Sequence, residues 1–105
     1  MNNLNSLIIE GKIEEIQKRE TKTVCKIATE RFYKNSSGYT IKETSIFECL
    51  FYGNLADFVN KNCDVGKVVK IAGRLKQESF INEMGKKESQ TVIIPEHLEI
   101  KPKIQ

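Results

Sequence analysis

The residues best suited to chemistry in this 105-residue chain concentrate in one stretch of period-two alternation, residues 67–80, which predicts a β-strand. One face of that strand carries cations and an aromatic ring, namely Lys70, Arg74, Lys76 and Phe80. The other face carries apolar or small residues suited to a core, namely Val69, Ile71, Gly73 and Leu75. Cations neutralise phosphates, and an aromatic ring stacks on a nucleobase. The pattern therefore indicates nucleic-acid binding, and its alternative is an ordinary solvated strand face.

Further rings lie close to basic residues elsewhere in the chain. Tyr33 follows the second predicted strand beside Lys34, and Tyr52 ends the third. Lys26 lies on the second strand and faces away from its apolar neighbours, whereas Ile46 shares the face of Tyr52. Stacking on a ring contributes about 1–3 kcal/mol per base and tolerates any base. We expect a surface that binds a strand without reading its sequence, unless the rings at the strand ends close a core instead.

Residue types needed for catalysis or metal binding are sparse. His97 is the only histidine and has no cysteine beside it, and no nucleotide-binding or hydrolase motif occurs. Cys25, Cys49 and Cys63 form no close pair, which indicates packing rather than metal binding. We therefore predict a non-enzymatic protein with no catalytic residues, no metal and no cofactor.

Length and composition predict one small globular domain. The chain has a mass of 12.0 kDa, with 39% hydrophobic residues, 30% charged residues and a mean hydropathy of −0.42. That balance excludes a disordered chain, and the short apolar runs exclude a membrane-spanning helix. The net charge of +3 is small, so the placement of the cations matters more than their sum. Because the amino terminus carries no secretory signal, we expect a cytoplasmic protein.

Turn signals divide the alternating stretches into five predicted strands, over residues 7–13, 21–32, 44–52, 67–80 and 90–100. A single helix is predicted between the third and fourth strands, over residues 54–63. Asn54 is its predicted N-cap, and Leu55, Phe58 and Val59 form its apolar stripe. The predicted fold class is therefore all-β, a five-stranded OB barrel with one short helix between strands 3 and 4.

Four stretches of the sequence resemble the bacterial single-stranded DNA-binding protein family. They lie at residues 7–13, at residues 27–30 with Tyr33 and Gly38, in the hexapeptide FYGNLA of residues 51–56, and in VGKVVKIAGRL of residues 65–75. The resemblance implies one OB domain over residues 1–105 that assembles as a homotetramer and wraps single-stranded DNA in replication, recombination and repair. The family's usual tryptophans are matched by Tyr33, Ile46 and Phe80, and its phenylalanine by Tyr52. Because the chain has no tryptophan, we expect weaker binding per site than in a typical relative.

The alternation and the resemblance together predict one set of DNA-binding residues: Lys26, Tyr33, Lys34, Ile46, Tyr52, Lys70, Arg74, Lys76 and Phe80. The expected partners are single-stranded DNA and further copies of the chain, because Leu7, Ile8 and Ile9 put apolar groups on both faces of the first strand. Relatives end in an acidic tip that recruits other proteins, whereas residues 101–105 are short and basic. Tail-mediated partners are therefore not expected, and the expected location is the cytoplasm at the nucleoid.

Three alternatives remain at the level of the sequence. A dimeric adaptor similar to the primosomal replication protein would have two subunits rather than four and would act in replication restart. An OB protein-interaction module without a nucleic-acid role would bury outward-facing groups such as Ile46 and Leu50 against a partner. RNA is a third possibility, because stacking and phosphate contacts do not by themselves distinguish the sugar.

Overall fold

The computed structural model describes residues 1–102 and contains five strands and one helix. In chain order these are β1 (Leu7–Lys18), β2 (Thr23–Lys34), β3 (Thr40–Phe51), α1 (Gly53–Asn62), β4 (Val68–Ile81) and β5 (Lys87–Ile100). The strands close into a barrel in the order β1-β2-β3-β5-β4, which confirms the predicted OB barrel with one helix between strands 3 and 4. Residues 103–105, which include most of the basic end predicted in place of an acidic tail, lie outside the described residues.

β1 closes the barrel because it pairs with two different strands along its length. Its first half pairs antiparallel with β4 and its second half with β2, and Lys12 has a partner on both sides. A register shift between Ile13 and Glu15 accompanies the change of partner, since an irregularity of this kind bends a strand. β3 and β5 meet in parallel at Cys49 and Ile93. Alternation along each strand then assigns its residues to the inside or the outside of the barrel.

The core lies inside the barrel and under α1, which covers one barrel end. Its buried members are Ile13, Cys25, Ile27, Cys49, Phe51, Ala56, Val59, Cys63, Val69, Ile71 and Ile93. Burial raises the pKa of Cys25 and Cys49 to about 12. Both thiols therefore stay protonated at neutral pH, and they pack as small apolar groups, as the sequence predicts.

Two antiparallel hairpins extend the barrel as arms. The first arm joins β2 to β3, whose register is unbroken along their full lengths, and the second joins β4 to β5. At each tip an asparagine Oδ1 accepts hydrogen bonds from two backbone N–H groups at 2.9–3.0 Å, Asn35 in the first arm and Asn82 in the second. The glycine three residues later, Gly38 or Gly85, has a φ of 82° or 77°, a conformation that favours glycine.

The start of α1 differs from its prediction. The helix begins at Gly53 with Tyr52 as its N-cap and no side-chain capping hydrogen bond, so Asn54 is not the cap. Gly53 has a φ of 58°, which turns the chain from β3 directly into the helix. Phe58 is exposed because only the narrow side of α1 that carries Val59 meets the barrel, so the predicted stripe was wrong at Phe58.

Several strands are longer than the sequence predicts. β1 runs to Lys18 rather than ending at residue 13, and β3 begins at Thr40 rather than at residue 44. Leu75, predicted for the core, is 47% exposed because it lies beyond the part of β4 that pairs with β1. The side-chain amide of Asn5 takes the place of β1 there and bonds the N–H and C=O of Leu75 at 3.0 and 2.8 Å.

Candidate nucleic-acid interface

The even-numbered residues of β2, β3 and β4, with those of β5 up to residue 94, point away from the barrel interior. Ala28 of β2, for example, faces Ile46 of β3 on the outside, whereas Cys25 faces Cys49 in the core. Because the register of β2 and β3 has no shift, this assignment holds to the tip of the first arm. We call this surface the outer face.

A cluster of buried apolar side chains forms the centre of the outer face. Its members are Val24, Leu50, Val92 and Ile94. Ile46 and Tyr52 lie on the same face, on either side of Leu50 along the chain, and they are 60% and 42% exposed. Tyr52 belongs to this face because its extended backbone continues the alternation of β3. The outer face therefore offers accessible apolar surface beside a buried apolar cluster. An unpaired base can stack on such a surface.

Three of the predicted cations border this cluster. Arg74 and Lys76 of β4 are paired with Ile94 and Val92 of β5. Lys26 is two residues from Val24 along β2. Lys26 Nζ lies 3.5 Å from Glu15 Oε2, and Lys76 Nζ lies 3.2 Å from Glu78 Oε1, whereas Arg74 forms no ion pair within residues 1–102. Exposed ion pairs contribute only about 0–1 kcal/mol, so phosphates can replace these carboxylates at small cost.

Lys70 lies apart from the other cations. β4 runs between β1 and β5 at this point, and Lys70 faces Glu10 on one side and Glu99 on the other. It is roughly 13 Å along the strand from Arg74, four residues away. Two facing carboxylates weaken the attraction of Lys70 for a phosphate.

The two arms carry the remaining predicted residues. Phe80 lies on the outer face of the second arm, where it faces Glu88, and Lys34 lies on the outer face near the tip of the first arm. Tyr33 is odd-numbered and so lies on the opposite face of β2. The guanidinium carbon of Arg31 is 5.4 Å from the centroid of the Tyr33 ring, so this ring already stacks with a cation of its own strand.

Phe32 is an exposed ring on the outer face that the sequence analysis did not single out. It is 62% exposed and faces Lys42 across the first arm. Lys42 is therefore a further cation beside this ring, and its Nζ lies 3.2 Å from Glu30 Oε1. The signal was present in the sequence, because counting by twos from Lys26 along β2 reaches Phe32 and not Tyr33.

The structure therefore groups the nine predicted residues unevenly. One central group adjoins the apolar cluster: Lys26, Ile46, Tyr52, Arg74 and Lys76. Lys34 and Phe80 extend the same face onto the arms. Lys70 also points outward from β4 but lies beside β1, away from the central group, and Tyr33 lies on the opposite face. The central group and the two arm residues thus share the outer face.

Residues 1–102 contain no group of three or more histidine, cysteine, aspartate or glutamate side chains arranged to hold a metal ion. In the same part of the chain, no buried side-chain nitrogen or oxygen lacks a hydrogen-bond partner. No described helix has the length and apolar character needed to cross a membrane.

Comparison with known proteins assigns the chain to a family. The Single-strand binding protein family matches residues 4–101, which is nearly the whole chain. The chain belongs to this family. Within the family it is similar to the single-stranded DNA-binding proteins of Helicobacter pylori, with 31% identity over 77 residues, and of Aquifex aeolicus, with 35% identity over 74 residues.

The Helicobacter and Aquifex proteins are both longer than this chain. The matched parts cover 73% and 70% of the chain but only 43% and 50% of the Helicobacter and Aquifex proteins, so the chain spans about half the length of these relatives. The barrel also resembles the Plasmodium falciparum SSB solved in complex with ssDNA, with a TM-score of 0.81 at 18% identity. That likeness covers 97% of this chain and 98% of the other, and it supports the OB fold.

Proposed function

We propose that this member of the single-strand binding protein family binds and protects single-stranded DNA along its outer face, in replication, recombination and repair. The observation that carries the proposal is the meeting of accessible apolar groups, an exposed ring and cations on one surface, around Ile46, Tyr52 and Arg74. The similar proteins of Helicobacter pylori and Aquifex aeolicus are single-stranded DNA-binding proteins, which supports the same ligand. The protein acts by binding alone, without catalysis, in the cytoplasm at the nucleoid.

The apolar side chains and the cations of the outer face bind different parts of the DNA. Bases stack on Tyr52 and Phe80 and contact Ile46, each ring contributing about 1–3 kcal/mol. Arg74 and Lys34 meet phosphates directly, while Lys26 and Lys76 exchange their carboxylate partners for phosphates. Stacking requires bases with open faces, so duplex DNA satisfies the cations but not the rings.

At the first arm we assign the stacking role to Phe32 rather than to the predicted Tyr33. Phe32 shares its face with Ile46 and Lys34, and most of its ring is open to solvent. Tyr33 is on the other face and has Arg31 over its ring. Lys70 has a smaller role than predicted, because two carboxylates face it and it lies away from the rings.

We also propose that copies of the chain assemble, as a homotetramer. Ile8 is 66% exposed on β1. Before Lys12, β1 pairs within residues 1–102 with β4 alone, so its other edge has free backbone groups. Sedimentation at micromolar concentration tests this part, with four subunits expected. A dimer would favour the adaptor type, and a monomer would contradict assembly.

A fluorescence anisotropy titration of labelled oligo(dT) tests the proposed function. We expect saturable binding that unlabelled oligo(dT) competes away and that equal amounts of duplex DNA do not. Competition by oligo(U) measures the preference for DNA over RNA. Failure to bind oligo(dT) even at low salt would refute DNA binding and would favour a protein-interaction module.

A further inference from the structure

The turn between β1 and β2 carries two cations on the outer face. Gln17 of β1 is paired with Val24 of β2, which belongs to the apolar cluster, so Gln17 lies on the outer face as well. Alternation along β1 places Arg19, two residues later, on the same face. The backbone N–H of Arg19 donates a hydrogen bond to the carbonyl oxygen of Lys22 at 2.8 Å. Arg19 and Lys22 therefore lie opposite each other where the turn begins and ends.

Lys22 also adjoins Tyr52, on the side away from Arg19. Thr23 of β2 is paired with Phe51 of β3, so the residue before Thr23 and the residue after Phe51 come next to each other. Neighbouring strands lie about 4.8 Å apart. Arg19, Lys22 and Tyr52 consequently form one row across three strands, at the barrel end of the outer face.

Both cations are available to an anionic ligand. Neither forms an ion pair within residues 1–102. Arg19 Nη2 donates a hydrogen bond to Gln17 Oε1 at 2.8 Å, which holds the guanidinium in place and leaves most of its five N–H donors for a ligand. Glu20 and Asp57 line the cleft between this turn and α1 together with the cations, but neither carboxylate is paired with Arg19 or Lys22 in the described structure.

We propose that Arg19 and Lys22 together bind one phosphate of the single strand, a phosphate of the nucleotide whose base stacks on Tyr52. A nucleotide within a strand has a phosphate on either side of its sugar, so one phosphate can reach the strands next to this ring. The DNA-binding surface then extends from the arms, across the apolar cluster, to the β1–β2 turn, which contains none of the predicted binding residues. This inference rests on the proposed function, because it requires a base on Tyr52.

A salt titration of oligo(dT) binding by the Arg19→Gln/Lys22→Gln double variant tests this site. Glutamine removes each charge and keeps a polar side chain. Loss of one neutralised phosphate should make the slope of log K against log salt concentration shallower by about 0.7. Affinity at low salt should fall by roughly 10-fold, because charge-assisted hydrogen bonds to the phosphate are lost. Urea unfolding of the same samples checks that the variants are folded.

Lys18→Gln is the matched control for Lys22→Gln alone. Lys18 belongs to the same turn and has the same charge, but it is paired with the buried Thr23 and so lies on the opposite face. We expect Lys18→Gln to change affinity by less than about 2-fold and by less than Lys22→Gln does, since salt screens a charge that does not contact the strand. A wild-type slope and affinity in the double variant, or a loss in Lys18→Gln as large as in Lys22→Gln, would overturn the inference while leaving DNA binding intact. Absence of oligo(dT) binding by the wild-type protein would instead refute the proposed function.

Discussion

Replacing Phe32 by alanine should weaken binding of oligo(dT) by roughly 5- to 150-fold, because one stacked base contributes about 1–3 kcal/mol. The ring is 62% exposed in the free protein, so its loss removes a ligand contact and little packing. The folded state should therefore change in stability by no more than about 0.5 kcal/mol. Affinity is measured by anisotropy and stability by urea denaturation of the same sample.

Tyr33→Ala is the matched control for this substitution. It removes a neighbouring ring of similar size from the same strand, but from the opposite face. We expect its effect on affinity to be less than about 2-fold, since no stacked base is lost. A larger loss in Tyr33→Ala than in Phe32→Ala would refute the assignment of the outer face as the DNA surface of the first arm.

The same two positions provide a direct optical test, because the chain has no tryptophan. Phe32→Trp introduces a single indole on the outer face, and Tyr33→Trp introduces one on the opposite face. Stacking with bases should quench the emission of the first variant on addition of oligo(dT) and leave the second nearly unchanged. Quenching confined to Tyr33→Trp would be incompatible with the account.

Three further predictions concern the barrel and its cations. Gly73→Ala should lower stability by at least about 2 kcal/mol and the Tm by roughly 10 °C. The reason is that the Cβ of the new alanine would lie 2.3 Å from the backbone oxygen of Ile94. Thermal unfolding at the wild-type temperature would contradict this prediction. Stability should fall as pH rises above about 9, where the thiol of Cys49 ionises in the unfolded chain but stays protonated in the folded one up to about 12. The Cys49→Ala variant should lose less stability over that pH range, as measured by the urea concentration at the midpoint of unfolding. Arg74→Ala should weaken DNA binding and make the slope of log K against log salt concentration shallower by about 0.7. Lys70→Ala should change the affinity and the slope less, as measured by salt titrations of the two variants.

The sequence was sufficient to predict the barrel, because alternation records which side of each strand is buried. Cys25 and Ile27 in β2 and Val69 and Ile71 in β4 are core residues, as their spacing predicts. Lys26, Arg74 and Lys76 consequently appear together on the outside. The cysteines also follow prediction, since all three are buried.

Other features depend on contacts that a single strand's pattern does not contain. Leu75 has the parity of a core residue, yet it is half exposed because β1 ends before reaching it. Lys70 looks equivalent to Arg74 along β4, but only Lys70 has carboxylates facing it from both neighbouring strands. Tyr33 matches a family tryptophan by its place in the sequence, but alternation along β2 puts it on the face opposite to Lys26.

The dependence of oligo(dT) affinity on salt tests most directly whether the outer face binds a single strand through its phosphates. Each phosphate contact on a single strand contributes about −0.7 to the slope of log K against log salt concentration. Arg74 and Lys34 alone give a slope near −1.4, and all five predicted cations together give about −3.5. We predict a slope between about −1.4 and −3.5, together with binding that duplex DNA does not displace. A slope near zero, or equal affinity for duplex DNA, would contradict the account.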